Sequence, residues 1–345
     1  MTKLSPSKCN LRDFLQKEYA LAMAPGFFRV YAHVGILHSL QENNLLHPSS
    51  VCGSSAGAMS AGFYASGLKP DDMIRRILRI NRESIWDPSI GLGLLKGEKL
   101  RQVIQQNLAF KSFEEGIVPC GMTAYDVFGF STRIIHNGDI ATNMCASCCF
   151  PGLFQPVYLN GRPHIDGGVF DSLGLMSLPN IPTTSKLIVN VVMDALRISS
   201  IEDSVPTIFL EQGAILLTIV LNGLCLVHPF NMDSKGRESY LSAKMALDRA
   251  LRGEVEYSMQ ECGDSQRHWV VYLDCENSQT LVADEEANGL LDTKHLAAIV
   301  ESKAAVAEAK NKSSTKKNRA SNKKSKYSVT KSRKRGRGGS ALIMK

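Results

Sequence analysis

The stretch "VCGSSAGAMSAG" (residues 51–62) carries a serine, Ser55, with a glycine two residues before it and another two residues after it. The residues before the serine are typical of a short strand, and the small residues that follow predict a tightly packed helix ending at Gly67. In a sharp turn from strand to helix, Gly53 and Gly57 let neighbouring backbone pass without a Cβ clash. The hydroxyl of Ser55 then stands at a helix N-terminus, which favours negative charge. The motif alone leaves two interpretations open: a nucleophile, or a small residue in a tight turn.

The segments around this motif alternate between strand and helix patterns. "ALAMA" (20–24) reads as a buried strand, and residues 28–45 have apolar side chains at helical spacing. "KLIVNVVMDAL" (186–196) is a run of β-branched apolar residues, typical of a central strand. This alternation predicts an α/β fold with a mostly parallel sheet.

Further elements follow from the same patterns. Amphipathic helices are expected at 70–80, 97–109 and 234–253, two strands around a turn at 119–138, and a helix at 139–150. The apolar stretch "GAILLTIVLNGLCLV" (213–227) is too short to span a bilayer, which needs about 20 residues. We expect a buried or bilayer-touching helix there.

A second motif, "HIDGGVFDS" (164–172), supplies a candidate base for Ser55. Asp166 is followed by Gly167 and Gly168, which allow close backbone approach, and a partly desolvated carboxylate can take the proton of a hydroxyl. The alternative is that Asp166 is a turn or N-cap residue, the common role of Asp before Gly.

The two motifs in this order resemble the patatin-like phospholipases, a family marked by a Gly-rich oxyanion loop with Arg, a G-x-S-x-G serine and a D-G-[GA] aspartate. The likeness covers about residues 20–196. It implies a three-layer α/β/α fold and a dyad in which Ser55 attacks an ester carbonyl and Asp166 is the general base. It implies a phospholipid or acylglycerol substrate and no cofactor or metal, and it leaves His164 as a bystander.

The oxyanion loop departs from the family pattern. Where the family has a run of glycines before Arg, this chain has Pro25-Gly26-Phe27-Phe28-Arg29. The resemblance implies an oxyanion hole of the N–H groups of Gly26, Phe27 and Ala56, supported by Arg29. Proline has no N–H to donate, and a phenylalanine is strained if its position demands a positive φ.

Three other interpretations stay open. The altered loop permits a catalytically weak or inactive lipid- or protein-binding module of the same fold. A Ser-His-Asp hydrolase would need His228, His268 or His295 to reach Ser55. A zinc site at Cys145-x-x-Cys148 lacks a matching second pair of ligands, and buried small residues of a helix explain it better.

The charge of the 345-residue chain is uneven. Residues 301–345 hold 15 of the 40 Lys and Arg and 2 of the 33 Asp and Glu, a net +13, whereas residues 1–300 carry −6. We expect residues 311–345 to be disordered and to be a solvated tail, a tether to an anionic membrane, or a nuclear-targeting or nucleic-acid segment. The odd count of nine cysteines and the lack of a secretory pattern predict an intracellular protein, cytoplasmic, peripherally membrane-associated or nuclear.

These observations divide the chain into four parts. We predict a lead-in (1–19), a catalytic core (20–196), a mostly helical C-terminal part of the same domain (197–300) and a basic tail (301–345).

Overall fold

The computed structural model describes residues 10–180, 185–193, 213–254, 258–262 and 267–276. The chain divides into two compact units, Met1–Ala283 and Asp284–Lys345. The second unit lies outside the described residues, and so do our predictions of a disordered basic tail and of its partners.

The described part contains eight α-helices and twelve β-strands. The helices are α1 (Leu11–Leu15), α2 (Val30–Glu42), α3 (Ala56–Ala65), α4 (Pro70–Ile77), α5 (Arg82–Ile85), α6 (Glu98–Asn107), α7 (Ile140–Cys148) and α8 (Met232–Arg252). The strands are β1 (Tyr19–Met23), β2 (Pro48–Ser54), β3 (Gly93–Leu95), β4 (Cys120–Asp126), β5 (Ser131–Ile135), β6 (Gly152–Phe154), β7 (Val157–Leu159), β8 (Arg162–Asp166), β9 (Leu187–Met193), β10 (Ile215–Asn222), β11 (Ser258–Cys262) and β12 (His268–Asp274).

Ten of these strands form one sheet in the order β11-β12-β10-β9-β1-β2-β4-β8-β7, with β5 also paired to β4. The six neighbours from β12 to β4 are parallel, and antiparallel strands extend both edges. The predicted α/β fold with a mostly parallel sheet is confirmed. Strands β3 and β6 form a separate parallel pair.

Two apolar clusters cover the two faces of the sheet. Odd-numbered residues of β1, such as Leu21, belong to the larger cluster together with side chains of α2, α3, α7 and α8. Even-numbered residues, such as Ala22, belong to a smaller cluster with Leu173, Leu175 and Leu178. Successive side chains of a strand point to opposite faces, so the sheet is buried on both sides in the described residues.

The helices predicted near 28–45, 56–67, 70–80, 97–109, 139–150 and 234–253 are all present, and so is the strand pair at 119–138. Helix α2 crosses α8 at Gly35, where an added Cβ would lie 2.3 Å from the carbonyl oxygen of Tyr240. The observed ends lie within a few residues of the predicted ones, as expected because helix ends fray.

The prediction of a helix at 213–227 is wrong. This stretch forms strand β10, which lies between β9 and β12 and is parallel to both. Its six central residues are buried, so no alternation of polar residues marks it as a strand, and periodicity cannot distinguish a fully buried strand from a buried helix. Three strands therefore accompany the long helix α8 in the described part of 197–300. No helix among the described residues is long and apolar enough to cross a membrane.

Candidate active site

Ser55 occupies the turn between β2 and α3 in a strained backbone conformation. Its φ is 51° and its ψ is −120°, a region that residues other than glycine rarely adopt. Backbone strain of this kind amounts to roughly 1–3 kcal/mol and persists only where the surrounding structure enforces it. The turn directs the serine out of the end of β2 at the N-terminus of α3.

The two glycines of the motif are required by close backbone contacts. A Cβ on Gly53 would lie 2.5 Å from the carbonyl carbon of Gly57, and a Cβ on Gly57 would lie 1.9 Å from the carbonyl oxygen of Met23. Both distances are far below van der Waals contact. The glycines therefore let α3 begin directly against β1 and β2, as the sequence predicted.

The structure brings Ser55 and Asp166 together. The Ser55 hydroxyl donates to Oδ2 of Asp166 at 2.7 Å, and the N–H of Gly168 donates to Oδ1 of the same carboxylate at 2.7 Å. Asp166 thus caps the short turn Gly167–Val169 and contacts the serine at the same time. The side chain thus has the capping role of the alternative interpretation, and its role as general base stays a prediction.

The two glycines after Asp166 also permit close approach. A Cβ on Gly167 would lie 2.2 Å from the carbonyl oxygen of Thr123, and one on Gly168 would lie 2.5 Å from Cβ of Pro25. The Asp-Gly-Gly turn is therefore wedged between β4 and the loop that follows β1. This packing fixes the carboxylate relative to both elements.

Burial raises the pKa of Asp166 from its ordinary value of 3.8 to about 6, while the hydrogen bonds from Ser55 and Gly168 act in the opposite direction. The side chain is almost fully buried. At neutral pH the carboxylate is charged, and its raised pKa makes it a stronger base than an exposed aspartate. The pair can therefore pass a proton from the hydroxyl to the carboxylate.

Two residues of α7 hold the backbone of Ser55. The N–H of Ser55 donates to Oγ of Ser147 at 3.0 Å, and the thiol of Cys148 donates to the carbonyl of Ser55 at 3.1 Å. The sequence analysis identified 139–150 as a helix with buried small residues but did not connect it to the serine. The small residues of "CASCC" indicate that the helix packs closely against another segment, but they do not indicate which segment.

The loop from Pro25 to Arg29 lies beside the serine. Phe27 has a φ of 56°, so the strain expected for this position is present. Its ring makes edge-to-face contacts with Phe28 and Phe150, at centroid distances of 4.8 and 5.6 Å. Among the described residues, the N–H groups of Gly26, Phe27 and Ala56 pair with no protein oxygen.

His33 of α2 holds the residue that precedes this loop. The buried ring of His33 contacts the carbonyl oxygen of Ala24 at 2.8 Å through Nε2, which must carry the proton because a carbonyl only accepts. Burial lowers the pKa of His33 to about 4, so the ring is neutral.

An apolar cleft, partly open to solvent, begins at the serine. Ser55 and Asp166 form its polar end. Its apolar lining comes from the oxyanion loop and from helices α2 to α8, and includes Phe27, Phe28, Met59, Ile77, Ile80, Ile85, Leu100, Leu153, Phe154 and Met232. The shape and lining suit a hydrocarbon chain.

The described histidines lie outside the contacts of Ser55 and Asp166. Nδ1 of buried His164 contacts the carbonyl of Arg162 at 2.8 Å, and Nε2 of His268 contacts the hydroxyl of Thr218 at 3.0 Å. Nδ1 of His228 accepts from the N–H of Phe230 at 3.2 Å. His295 lies outside the described residues.

Comparison with known proteins gives relatives of low identity. An uncharacterized NTE family protein of Mycobacterium bovis and another of Mycobacterium tuberculosis are each 25% identical to this chain over 211 residues. The match covers 60% of this chain and 58% of each relative, so it spans less than two thirds of their length.

Two solved structures are similar to this chain at low TM-scores. VipD from Legionella pneumophila has a TM-score of 0.34 and 13% identity, covering 78% of this chain and 67% of that chain. ExoU, from the ExoU-SpcU complex of the type III secretion system of Pseudomonas aeruginosa, has a TM-score of 0.34 and 15% identity, covering 68% of this chain and 52% of that chain. TM-scores at this level support no statement about function.

A family model matches the part of the chain that carries this site. The model of the family described as "Patatin-like phospholipase" matches residues 21–179. This range contains the strand–serine–helix turn, the Asp-Gly-Gly turn and the loop after β1. Residues 21–179 of this chain are therefore similar to the patatin-like phospholipase family.

Proposed function

We propose that this protein is a serine acyl hydrolase that releases fatty acid from phospholipids or acylglycerols, with Ser55 as nucleophile and Asp166 as general base. The observation that carries the proposal is the 2.7 Å hydrogen bond from the Ser55 hydroxyl to the buried Asp166 carboxylate, at the polar end of an apolar cleft. A hydroxyl is a weak nucleophile until a base takes its proton, and this contact supplies the base.

The chemistry requires two steps. In the first, Oγ of Ser55 bonds to the ester carbonyl carbon while its proton passes to Asp166. The tetrahedral intermediate collapses, the bond to the alcohol breaks, and the alcohol leaves with the proton from Asp166. In the second, Asp166 takes a proton from water, which attacks the acyl-enzyme, and returns the proton to Ser55 as the fatty acid leaves. No histidine takes part in either step.

The oxyanion of each intermediate needs preorganised donors. The N–H groups of Gly26, Phe27 and Ala56 are our candidates, because Ala56 begins α3 directly after the nucleophile and the loop of Gly26 and Phe27 borders the same cleft. Arg29 is the N-cap of α2 and would support the loop rather than the oxyanion itself. The dipole of α3 favours the same negative charge.

The cleft favours a substrate with a hydrocarbon chain. Ile77, Ile80, Ile85 and Leu100 line it away from the serine, and these side chains offer no hydrogen bond to a polar substrate. An ester carbonyl at Ser55 would therefore have its acyl chain in the cleft and its alcohol portion toward solvent. This orientation is compatible with both phospholipids and acylglycerols.

A second candidate function is a weakly active or inactive lipid-binding module. Two observations favour it: Pro25 has no N–H, and Phe27 holds a positive φ that a glycine would adopt without strain. Loss of one oxyanion donor lowers turnover by about two to three orders of magnitude in other enzymes. The lipid cleft would persist in such a module while hydrolysis would not.

Labelling with a fluorescent fluorophosphonate tests the proposal. This reagent bonds covalently to an activated serine, so the wild-type protein should be labelled and Ser55→Ala should not. Ser54→Ala is the matched control, since Oγ of Ser54 is buried without a partner and its neighbour would still react. A panel of phospholipids and acylglycerols, assayed with wild type and Ser55→Ala, then identifies the substrate. A folded wild-type protein that neither labels nor hydrolyses any lipid would favour the binding module.

A further inference from the structure

Large apolar side chains are exposed along one edge of the sheet, the edge at which the cleft opens. The strands β1, β2, β4 and β10 are parallel, so their carboxyl ends meet at the edge that carries Ser55. Exposed apolar residues follow three of these strands: Phe27 after β1, Phe128 and Phe130 after β4, and Leu226 and Phe230 after β10.

A turn formed by residues 89–94 adds three more exposed side chains. Ile90 is fully exposed, Leu92 is 79% exposed and Leu94 is 51% exposed. Leu92 lies between Gly91 and Gly93, which leave it without neighbouring side chains in the turn.

This turn is fixed to the wall of the cleft. Leu95 at the end of β3 pairs with Phe154 of β6, and Nε2 of Gln155 donates to the carbonyl of Ile90 at 3.3 Å. Phe154 and Leu153 both line the cleft. The tips of Ile90 and Leu92 therefore stand at the rim of the opening.

The entrance itself is apolar and exposed. Phe27 and Phe150 line the cleft, contact each other edge to face, and are 43% and 45% exposed. Met232, two residues after exposed Phe230, also lines the cleft. Phe27 and Phe150 thus extend the apolar lining of the cleft to the protein surface.

Cationic side chains lie next to these apolar ones. The guanidinium of Arg82 stacks over the rings of Trp86 and Phe230, at 5.7 and 5.4 Å from their centroids. Lys96 directly follows β3, its side chain is 58% exposed, and its Nζ lies 3.7 Å from a carboxylate oxygen of Glu98, a pair that a lipid phosphate could replace. Apolar tips bordered by cations complement the hydrocarbon and the phosphates of a phospholipid surface.

We propose that this apolar rim is the face on which the protein docks to a phospholipid bilayer, with the 89–94 turn inserted among the acyl chains and Arg82 and Lys96 at the phosphates. The apolar rim consists of Phe27, Ile90, Leu92, Leu94, Phe128, Phe130, Phe150, Leu226 and Phe230. The proposal rests on the proposed function, because it gives the lipid a route to the same cleft. An acyl chain leaving the docked bilayer would pass Phe27 and Phe150 without crossing water, which hydrocarbon avoids.

The arrangement of the rim favours a bilayer over a protein partner. Its side chains stand on five separate segments, the loops after β1, β4, α7 and β10 and the 89–94 turn, rather than in a single groove. A fluid hydrocarbon phase can surround apolar side chains on separate segments without having a matching shape. A folded partner would need a complementary site for each of these side chains. A protein partner is therefore an outcome of the test and not the proposal.

The test compares two double variants, each of which replaces two exposed apolar side chains with serine. Ile90→Ser with Leu92→Ser removes the tips of the turn. Phe110→Ser with Ile117→Ser is the control, because these exposed residues precede β4 and lie toward the opposite edge of the sheet. Both are made in the Ser55→Ala background so that the vesicles stay intact. Co-sedimentation with vesicles of phosphatidylcholine and phosphatidylglycerol (7:3) in 0.5 M NaCl measures partition while distant charges are screened.

We expect the Ile90/Leu92 variant to partition at least tenfold less than its parent, and the Phe110/Ile117 variant to partition within twofold of it. Partition of the Ile90/Leu92 variant within twofold of its parent overturns the proposal. Loss of vesicle binding in the Ile90/Leu92 variant supports docking whether or not the wild type hydrolyses any ester. Failure of the proposed function is therefore measured by the hydrolysis assay and failure of docking by vesicle binding. If wild type ignores vesicles but dimerises, and the Ile90/Leu92 variant is a monomer, the rim is an interface between copies and the proposal is wrong.

A second measurement does not depend on the serine variants. The fluorescence of Leu92→Trp should fall in vesicles of brominated phosphatidylcholine, whereas that of Ile117→Trp should not, each measured against the parent protein. Equal quenching at the two positions would overturn insertion of the turn.

Discussion

The hydroxyl of Ser55 lies 2.7 Å from Oδ2 of Asp166, although 111 positions separate the two residues in the sequence. Their strands, β2 and β8, both pair with β4, and β5 occupies the other edge of β4. Ser54 pairs with Thr123 of β4, and Asp166 pairs with the next residue, Ala124, so the carboxyl ends of β2 and β8 meet along the same edge of β4. The shared strand therefore brings both residues to the same level of the sheet, one from a parallel and one from an antiparallel neighbour.

The pH dependence of hydrolysis should report the pKa of Asp166. Burial raises this pKa to about 6, and only the carboxylate form accepts the serine proton. We expect kcat/KM for a soluble ester to rise about tenfold per pH unit below 6 and to level off above 7. Asp171 is the control, because burial raises its pKa to about 6 as well but its carboxylate contacts Thr123. Asp171→Asn should keep the same inflection, and a profile that instead rises through pH 8 would assign the base to another group.

Substitution of Asp166 should strongly lower the rate of hydrolysis, whereas substitution of the histidines should leave most of it. Asp166→Asn removes the proton acceptor of Ser55, so we expect at least about a thousandfold loss of kcat with the fold retained. His164→Gln, His228→Gln, His268→Gln and His295→Gln should each stay within fivefold of wild type. Steady-state kinetics with a soluble ester measure the activity of each variant, and circular dichroism shows whether the variant is folded. A folded histidine variant as inactive as Ser55→Ala would establish a triad instead.

Two substitutions at Phe27 should separate backbone strain from ring contacts. Phe27→Ala and Phe27→Gly both remove the contacts with Phe28 and Phe150, but only glycine relieves the φ of 56°. We expect Phe27→Gly to have a free energy of unfolding about 1 kcal/mol higher than Phe27→Ala. We also expect kcat on a soluble ester to be higher for Phe27→Gly. Urea unfolding of the two variants measures the difference, and equal stabilities would mean that the positive φ carries no strain.

Two glycines of α3 should respond differently to alanine. A Cβ on Gly57 would lie 1.9 Å from the carbonyl oxygen of Met23, and that backbone cannot move without displacing β1. A Cβ on Gly62 would meet the ends of two methionine side chains, Met144 and Met122, which can rotate away. We expect Gly57→Ala to lower the free energy of unfolding by more than about 3 kcal/mol or to prevent folding, and Gly62→Ala to change it by less than about 1 kcal/mol. Similar losses of stability at both positions would show that the close approach to Met23 is not the reason that position 57 is a glycine.

The buried carboxylate should also lower stability as pH rises. The pKa of Asp166 rises from 3.8 to about 6 on folding, so the folded state binds this proton more tightly than the unfolded state does. Stability from this group is therefore greatest below pH 4 and is lost as pH rises toward 6 and above, by about 3 kcal/mol in all. Asp166→Asn cannot titrate, so its unfolding free energy relative to wild type should increase by up to that amount between pH 4 and pH 7. Urea unfolding at pH 4, 5, 6 and 7 tests this, and a constant difference would contradict the raised pKa.

The local elements of the site followed from the sequence because short-range chemistry dictates them. Glycines at 53 and 57 around a serine, small residues after it, and an aspartate before two glycines each restrict the backbone where they stand. The same holds for β9, whose run of β-branched residues is read correctly as a central strand. The order of the two motifs, with the loop before them, was enough to indicate the patatin-like family.

Contacts between distant segments were outside the reach of those patterns. Ser147 and Cys148 hold the backbone of Ser55 from a helix whose sequence shows only small residues. Strand β10 was taken for a helix because its identity depends on the hydrogen bonds that β9 and β12 offer, and not on its own apolar residues. The 2.7 Å contact of Ser55 with Asp166 likewise depends on the register of two strands against β4. Sequence thus determined the residues of the site and the turns that present them, whereas tertiary pairing decided their distances, because the register of a sheet is set by strands far apart in the chain.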